Sequence, residues 1–281
     1  MTLALIISSH VAASRVGGSA QALALVPFKV DAMVVPTVLY GRHPGWGPPG
    51  GAAVPVEAID GMLDGIEANG YFAQVDLLIT GYFASAPQVR AAARAIDAVR
   101  AAPREAGARK AFVIVDPTLG DHGKGLYVPL DVAEAVTADL VPRADLVACN
   151  TWELQRLTGA ETRSPAQALS AARLLDKPAL ISSVVRESEV GVIYADRREA
   201  WLAAHPRTAD APQGTGDLLT ALYGAAVLDS LAPAYALPRA VGGVAETVSA
   251  AQMWKAPELP LVAMAQRLKA ISPHVRMERL K

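Results

Sequence analysis

Hydrophobic positions along the chain fall into two alternating patterns. Short runs rich in leucine and β-branched residues occupy positions 3–7, 30–36, 75–80, 111–115, 145–148 and 179–183. Such continuous apolar runs predict parallel strands buried on both faces. Between them lie longer, alanine-rich segments of helical period; over 88–100, Val89, Ala92, Ala93, Ile96 and Val99 share one face. Strand followed by helix, repeated, predicts a sheet covered on both sides. Ser164, Pro165 and Gln167 combine a capping serine, a proline at the first helical position and a glutamine three residues after the cap, so a helix starts there. Val190, Val192 and Tyr194 alternate before Asp196-Arg197-Arg198 and a second short run over 201–203, which predicts an antiparallel pair at the sheet's edge with a solvated turn. Gly41, Pro44, Gly45, Gly47, Pro48, Pro49, Gly50 and Gly51 crowd positions 40–53 and predict a loop, a candidate flap over a site. Trp46 in that loop either shields the site or covers the core edge, and both roles require burial.

Composition narrows the class. The 281 residues carry no internal repeat and no obvious linker, so one domain over 1–281 is expected. A net charge of −1 gives no broad footprint for nucleic acid or an anionic membrane, so a phosphate ligand must be held by local chemistry. The lone Cys149 excludes an internal disulfide and a cysteine-rich zinc site; it reads as a small buried hydrophobe and points to the cytoplasm. The first residues lack the pattern of an export signal, and no apolar run approaches the ~18 residues of a membrane span.

The chemistry concentrates after the apolar runs. Gln213-Gly214-Thr215-Gly216-Asp217 precedes Leu218, Leu219, Leu222, Tyr223, Ala226 and Val227 at helical spacing. The glycines therefore sit at the N-terminal end of a buried helix, where backbone N–H groups meet an anion. Asp217 is a candidate base for an acceptor alcohol; the motif alone leaves open that it only complements the helix dipole. Gly81-Tyr82, Asp116 to Asp121 and Asn150 to Glu153 each follow a strand-like run directly, and in an open α/β sheet ligands bind at those ends. Asp116 and Glu153 are candidates to hold hydrated Mg²⁺ near triphosphate oxygens, while Asp116 and Asn150 taken singly also read as turn caps. Gly45 to Gly50 matches a dinucleotide-binding pattern only by chance, since paired prolines interrupt it, and Gly123-Lys124-Gly125 lacks the spacing of a P-loop.

In order, these segments resemble the ribokinase-like superfamily and, within it, the pyridoxal kinases. The resemblance spans nearly the whole chain and rests on Ser8-Ser9-His10-Val11 with Val16-Gly17-Gly18-Ser19, His43 to Gly47, Gly81-Tyr82, Asp116 to Asp121, Asn150 to Glu153 and Gly214 to Asp217. It implies a three-layer α/β/α sandwich with a mostly parallel central sheet and an edge β-hairpin. It further implies ATP-dependent phosphorylation of the 5′-hydroxymethyl group of pyridoxal or a related B6 vitamer. Ser9 would bond the pyridine side, Val16 and Tyr82 would pack on the ring, and His43 would come from the flap. Asn150, Ser182 and Ser183 would line the nucleotide phosphates, with Tyr127 in a lid over 117–129 and Asp121 helping that lid or the cation site. Asp217 would take the proton while the amides of Gly214, Thr215 and Gly216 hold the transferring phosphoryl group. ATP and Mg²⁺ are the implied cofactors, with a monovalent cation such as K⁺ an open addition, and a homodimer the implied assembly. Pro44 stands where the family carries a threonine, which removes one hydroxyl from the flap. Gly18 replaces an asparagine and Ala148-Cys149 a preferred proline; Leu126 stands where some relatives have a cysteine, so no lid thiol is available. A hydroxymethylpyrimidine kinase and a B6-binding reservoir or regulator remain the alternatives.

Overall fold

The computed structural model describes residues 1–208, 210–269 and 275–281. Its strands are β1 (Thr2–Val11), β2 (Val30–Tyr40), β3 (Gly51–Ala53), β4 (Val75–Thr80), β5 (Phe112–Val115), β6 (Gly120–Asp121), β7 (Gly125–Leu126), β8 (Leu146–Asn150), β9 (Ala179–Arg186), β10 (Glu189–Ala195), β11 (Ala200–Pro206) and β12 (Arg276–Leu280). The helices are α1 (Gly17–Leu25), α2 (Val56–Ala68), α3 (Ala86–Ala101), α4 (Leu130–Ala135), α5 (Thr151–Thr158), α6 (Pro165–Leu174), α7 (Thr215–Leu228), α8 (Pro233–Met253) and α9 (Leu261–Met264). Among the described residues one sheet of ten strands runs β12-β11-β10-β9-β8-β5-β4-β1-β2-β3, with β6 and β7 forming a separate ribbon.

The six strands from β9 to β2 are parallel, and each apolar run read from the sequence lies within or overlaps one of them. Their side chains alternate between two buried layers. Leu5 and Ile7 of β1 face one core with α2 to α6, whereas Ala4 and Ile6 face the other with α1, α7, α8 and α9. Burial on both faces is why these strands show no polar alternation. The antiparallel pair β10–β11 forms as the alternation predicts, with Asp196 accepting from the backbone N–H groups of Arg198 and Glu199 in its turn. It is not outermost: β12 adds beyond β11.

The 40–53 segment is more ordered than a loop. Its last three residues pair antiparallel with the end of β2, and Gly41 and Arg42 donate to the carbonyl of Pro49, which accepts although proline itself donates nothing. Trp46 is 51% exposed, which corrects the expectation of burial in either of its roles.

β1 connects to β2 through α1 on one face, while β4 connects to β5 through α3 on the other. Neighbouring strands whose chains leave to opposite faces open a crevice at their carboxyl ends. Ser8 and Ser9, Gly81 and Tyr82, Asp116, Asn150 and Ser182 all fall at that edge.

Candidate active site

Helix α7 is apolar nearly all round and buried, so its first turn is fixed at the sheet's ligand edge. Gly214 caps it at φ +91°, and a Cβ there would lie 2.2 Å from the carbonyl oxygen of Arg15. Gly17, at φ +59°, opens α1, and a Cβ there would lie 2.1 Å from Ser9 Oγ. Only glycine permits both the backbone conformation and the approach. The 214–217 loop, the 14–17 loop and the end of β1 therefore meet backbone to backbone. Across that junction the Gly17 backbone N–H faces the Asp217 carboxylate and favours its charged form. Burial first, then the charge of Asp116, raises the Asp217 carboxyl to about 7, with the Gly17 N–H opposing the shift. Beside it, the Cβ direction of Gly216 points into open space.

Asp116 ends β5. Its Oδ1 accepts from Thr118 N–H and Oγ1 at 3.1 and 2.8 Å, and its Oδ2 takes only a long 3.3 Å bond from Thr220 Oγ1. Burial raises this carboxyl to about 6, against those hydrogen bonds. Glu153 is buried and raised to about 8, chiefly by burial and then by Asp116. Its Oε1 accepts from Leu119 N–H at 2.7 Å and Gly120 N–H at 3.4 Å, and its Oε2 from Asn150 N–H at 2.9 Å. Asn150 in turn caps α5, accepting from Glu153 N–H and donating to Gly120 C=O. The Asn150–Glu153 spacing is thus a capping box that also pins the lid, with both Glu153 oxygens accepting backbone N–H groups. The cap reading of Asn150 and Asp116 holds alongside their position at the cavity.

Three carboxylates raised by burial, two of them also by the charge of Asp116, form a site that a cation would relieve. Among the described residues no group of three or more His, Cys, Asp or Glu side chains is arranged to enclose a metal ion. A hard cation held by one or two carboxylates, water and phosphate oxygens suits Mg²⁺, and Asp116 with Glu153 behind it fits that pattern.

Asp116, Asp121, Tyr127, Asn150, Glu153, Ser182, Ser183 and the 214–217 loop line one cavity of about 290 Å³. Tyr127 follows the β6–β7 ribbon and is raised to about 12 by burial, then by Asp121 and Glu153. A second cavity of about 1070 Å³ continues from Ser182, Ser183 and Thr215. Its wall of Val190, Val192, Leu219, Val241, Val244 and Val248 was not assigned to a site from the sequence, which read Val190 and Val192 only as edge-strand positions and Leu219 only as a helix position. Cys149 lines the first cavity but is buried, and its thiol is pushed well above the usual range, mainly by desolvation; it is no nucleophile.

Ser9, Val16, Tyr82 and His43 line neither cavity. Ser9 adjoins Gly17, and Val16 adjoins Gly214. Ser9 and Val16 are buried, and Thr37 Oγ1 donates to Tyr82 C=O at 2.6 Å. The His43 ring accepts from Gly45 N–H, and its pKa is lowered by burial, then by Lys124 of the lid, while Glu258 opposes. His10 is exposed. Sequence reasoning missed Gln88, whose buried amide bonds Thr37 C=O, Val54 C=O and Ala84 N–H and so fixes the flap's base to the β4 loop. It also missed Thr220, which Asp217 at i−3 on the same helix face would have indicated.

A parallel sheet with a switch-point crevice, a bare anion loop and a carboxylate at its helix end define a phosphotransferase of ribokinase-like architecture. The profile of the phosphomethylpyrimidine kinase family matches residues 74–260. A pyridoxine/pyridoxal/pyridoxamine kinase of Bordetella avium is 34% identical over 76% of this chain and 74% of its own length. A pyridoxal kinase of Deinococcus radiodurans is 33% identical over 77% and 76%. The pyridoxal kinase of Leishmania donovani, solved with ADP and ginkgotoxin, superposes with a TM-score of 0.93 over the full length of both chains at 24% identity, a likeness of fold. The chain belongs to the phosphomethylpyrimidine kinase family and groups within it with the pyridoxal kinases.

Proposed function

We propose that this chain transfers the terminal phosphoryl group of ATP to the 5′-hydroxyl of pyridoxal or a related B6 vitamer. The observation that supports this reading is the junction where Ser9 lies against Gly17, and Arg15 and Val16 lie against Gly214, beside the buried Asp217 carboxylate that lines the first cavity. The names of the Bordetella and Deinococcus relatives support the same substrate class.

In this reading the vitamer lies beside Ser9, Val16 and Tyr82 under the His43 flap, its hydroxymethyl group toward Asp217. The triphosphate runs along Ser182, Ser183 and Asn150 with Tyr127 and Asp121 above it, and the base enters the larger cavity. The amides of Gly214, Thr215 and Gly216 take the charge that spreads over the transferring oxygens. Asp217 accepts the alcohol proton as the bond to phosphorus forms. Asp116 and Glu153 would hold a hydrated Mg²⁺, which would supply positive charge beside the triphosphate oxygens. A single-domain cytoplasmic homodimer, and a monovalent cation in addition to Mg²⁺, belong to the same proposal. No helix among the described residues is long and apolar enough to cross a membrane.

A coupled assay with ATP and Mg²⁺ tests the reading: turnover is expected with at least one of pyridoxal, pyridoxine and pyridoxamine. Background rates with all three, against turnover of hydroxymethylpyrimidine, would transfer the assignment to that substrate; tight vitamer binding in calorimetry without ATP consumption would make the protein a reservoir. The nucleotide's place has its own check. Val244 is half-buried on the larger cavity's apolar wall, so Val244→Asp is expected to raise KM for ATP about tenfold, the equivalent of ~1.4 kcal/mol of lost apolar contact. KM for the vitamer stays unchanged.

A further inference from the structure

The 14–17 loop carries three of the contacts on which the site depends. The Arg15 carbonyl and Val16 Cγ1 face Gly214, at 2.2 and 3.3 Å from where a Cβ would stand, and Gly17 N–H faces Asp217. Locally the loop is held by Ser14 N–H to Val11 C=O and Ser19 Oγ to Val16 C=O. Its other grip comes from the far end of the sequence. Glu258 lies between α8 and α9; its Oε1 accepts from the buried Ser14 Oγ at 2.8 Å, and its Oε2 from Arg15 N–H at 2.9 Å. Two donors on successive residues, each taken by a different oxygen, fix the loop's orientation as well as its position, because a single bond would let it pivot.

We infer that Glu258 is a positioning residue for phosphoryl transfer: it clamps residues 14 and 15 so that the Arg15 and Val16 backbone backs the anion loop at Gly214 and Gly17 N–H keeps facing Asp217. The inference rests on the kinase reading. Glu258 lines neither nucleotide cavity, although its charge reaches His43 of the flap, so its effect is expected on the geometry of transfer, where a small misplacement of reacting groups costs rate, and not on ATP binding.

The test compares Glu258→Ala, Glu258→Gln and Ser14→Ala with the wild type, reading kcat, KM for ATP, thermal midpoint and amide hydrogen exchange. Glu258→Ala is expected to lower kcat at least about tenfold with KM for ATP within about twofold. It should also speed exchange at least about tenfold at residues 14–17 and 214–217. Glu258→Gln keeps both bonds, its Oε1 accepting from Arg15 N–H and its Nε2 donating to Ser14 Oγ, and so restores most of kcat. Ser14→Ala removes one bond and gives an intermediate loss, which keeps the inference testable if Glu258→Ala fails to fold. A fall in thermal midpoint with kcat per folded molecule and exchange at 214–217 unchanged would make Glu258 a plain structural brace and overturn the inference. A wild type inactive on every vitamer sinks only the kinase reading, because exchange at 14–17 and 214–217 still decides whether Glu258 orders the two loops.

Discussion

Asp217→Asn is expected to lower kcat by roughly 10²-fold or more, the scale of losing a positioned base, and to leave nucleotide affinity nearly intact. Asparagine keeps the shape of the side chain and an oxygen for Gly17 N–H, yet it has no capacity to take a proton at neutral pH. The wild-type carboxyl is raised to about 7 by burial and by Asp116. Its base form therefore fills as pH rises through that region, and kcat/KM falls as pH drops below it. The variant should lose that limb. Near-wild-type turnover by Asp217→Asn would leave Asp217 as a helix-end charge only.

Stability separates the same two roles by sign. A carboxyl raised in the folded state above its ordinary 3.8 binds its proton more tightly when folded, so its contribution is fully present at low pH and is lost as pH rises toward 7. Removing the charge is then stabilising at pH 8 and neutral at pH 4. A carboxylate that merely complemented the dipole of α7 would behave oppositely, its loss costing ~0.3–1 kcal/mol at neutral pH. Thermal midpoints of both proteins at the two pH values decide the matter.

The parallel strands were legible because burial on both faces leaves only apolar residues to write them with. β12 was not: Arg276, Glu278 and Arg279 occupy three of its five positions, and charges on an edge strand protect the sheet from further pairing while hiding the strand from any search for apolar runs. β3 was hidden for another reason, since Gly51, Ala52 and Ala53 pair through backbone alone. The order of site segments along the chain was readable, because chemistry at the carboxyl ends of successive strands leaves polar residues immediately after apolar runs. What joins those segments was not. The groups that do so are a backbone N–H at Gly17, a carbonyl at Arg15, and side chains such as Gln88 and Glu258 whose partners lie far away in sequence. Glu153 shows the intermediate case: its spacing from Asn150 announces both a capping box and an acidic site residue, and only the geometry reveals that both its oxygens already hold backbone donors.

Gly214→Ala is expected to reduce kcat by roughly 10²-fold or more and to lower the thermal midpoint, whereas Gly216→Ala reduces kcat with the midpoint retained. The two glycines sit in one loop but differ in what surrounds them. At 214 a methyl would meet a backbone oxygen at 2.2 Å, at a φ of +91° that costs an alanine ~1–2 kcal/mol before any clash. The carbonyl of Arg15 belongs to a loop held at both ends, so the strain is relieved by moving the 214–217 loop and with it the amides and Asp217. At 216 nothing lies within 4 Å of the added carbon and φ is ordinary, so the folded protein accepts it. That open space is where the transferring phosphoryl group belongs in the proposed geometry. A methyl there takes up room needed only during turnover. Melting curves and kcat for both variants distinguish the two costs. Unimpaired turnover by Gly216→Ala would mean that the phosphoryl group passes elsewhere, and the anion-hole assignment would have to be abandoned.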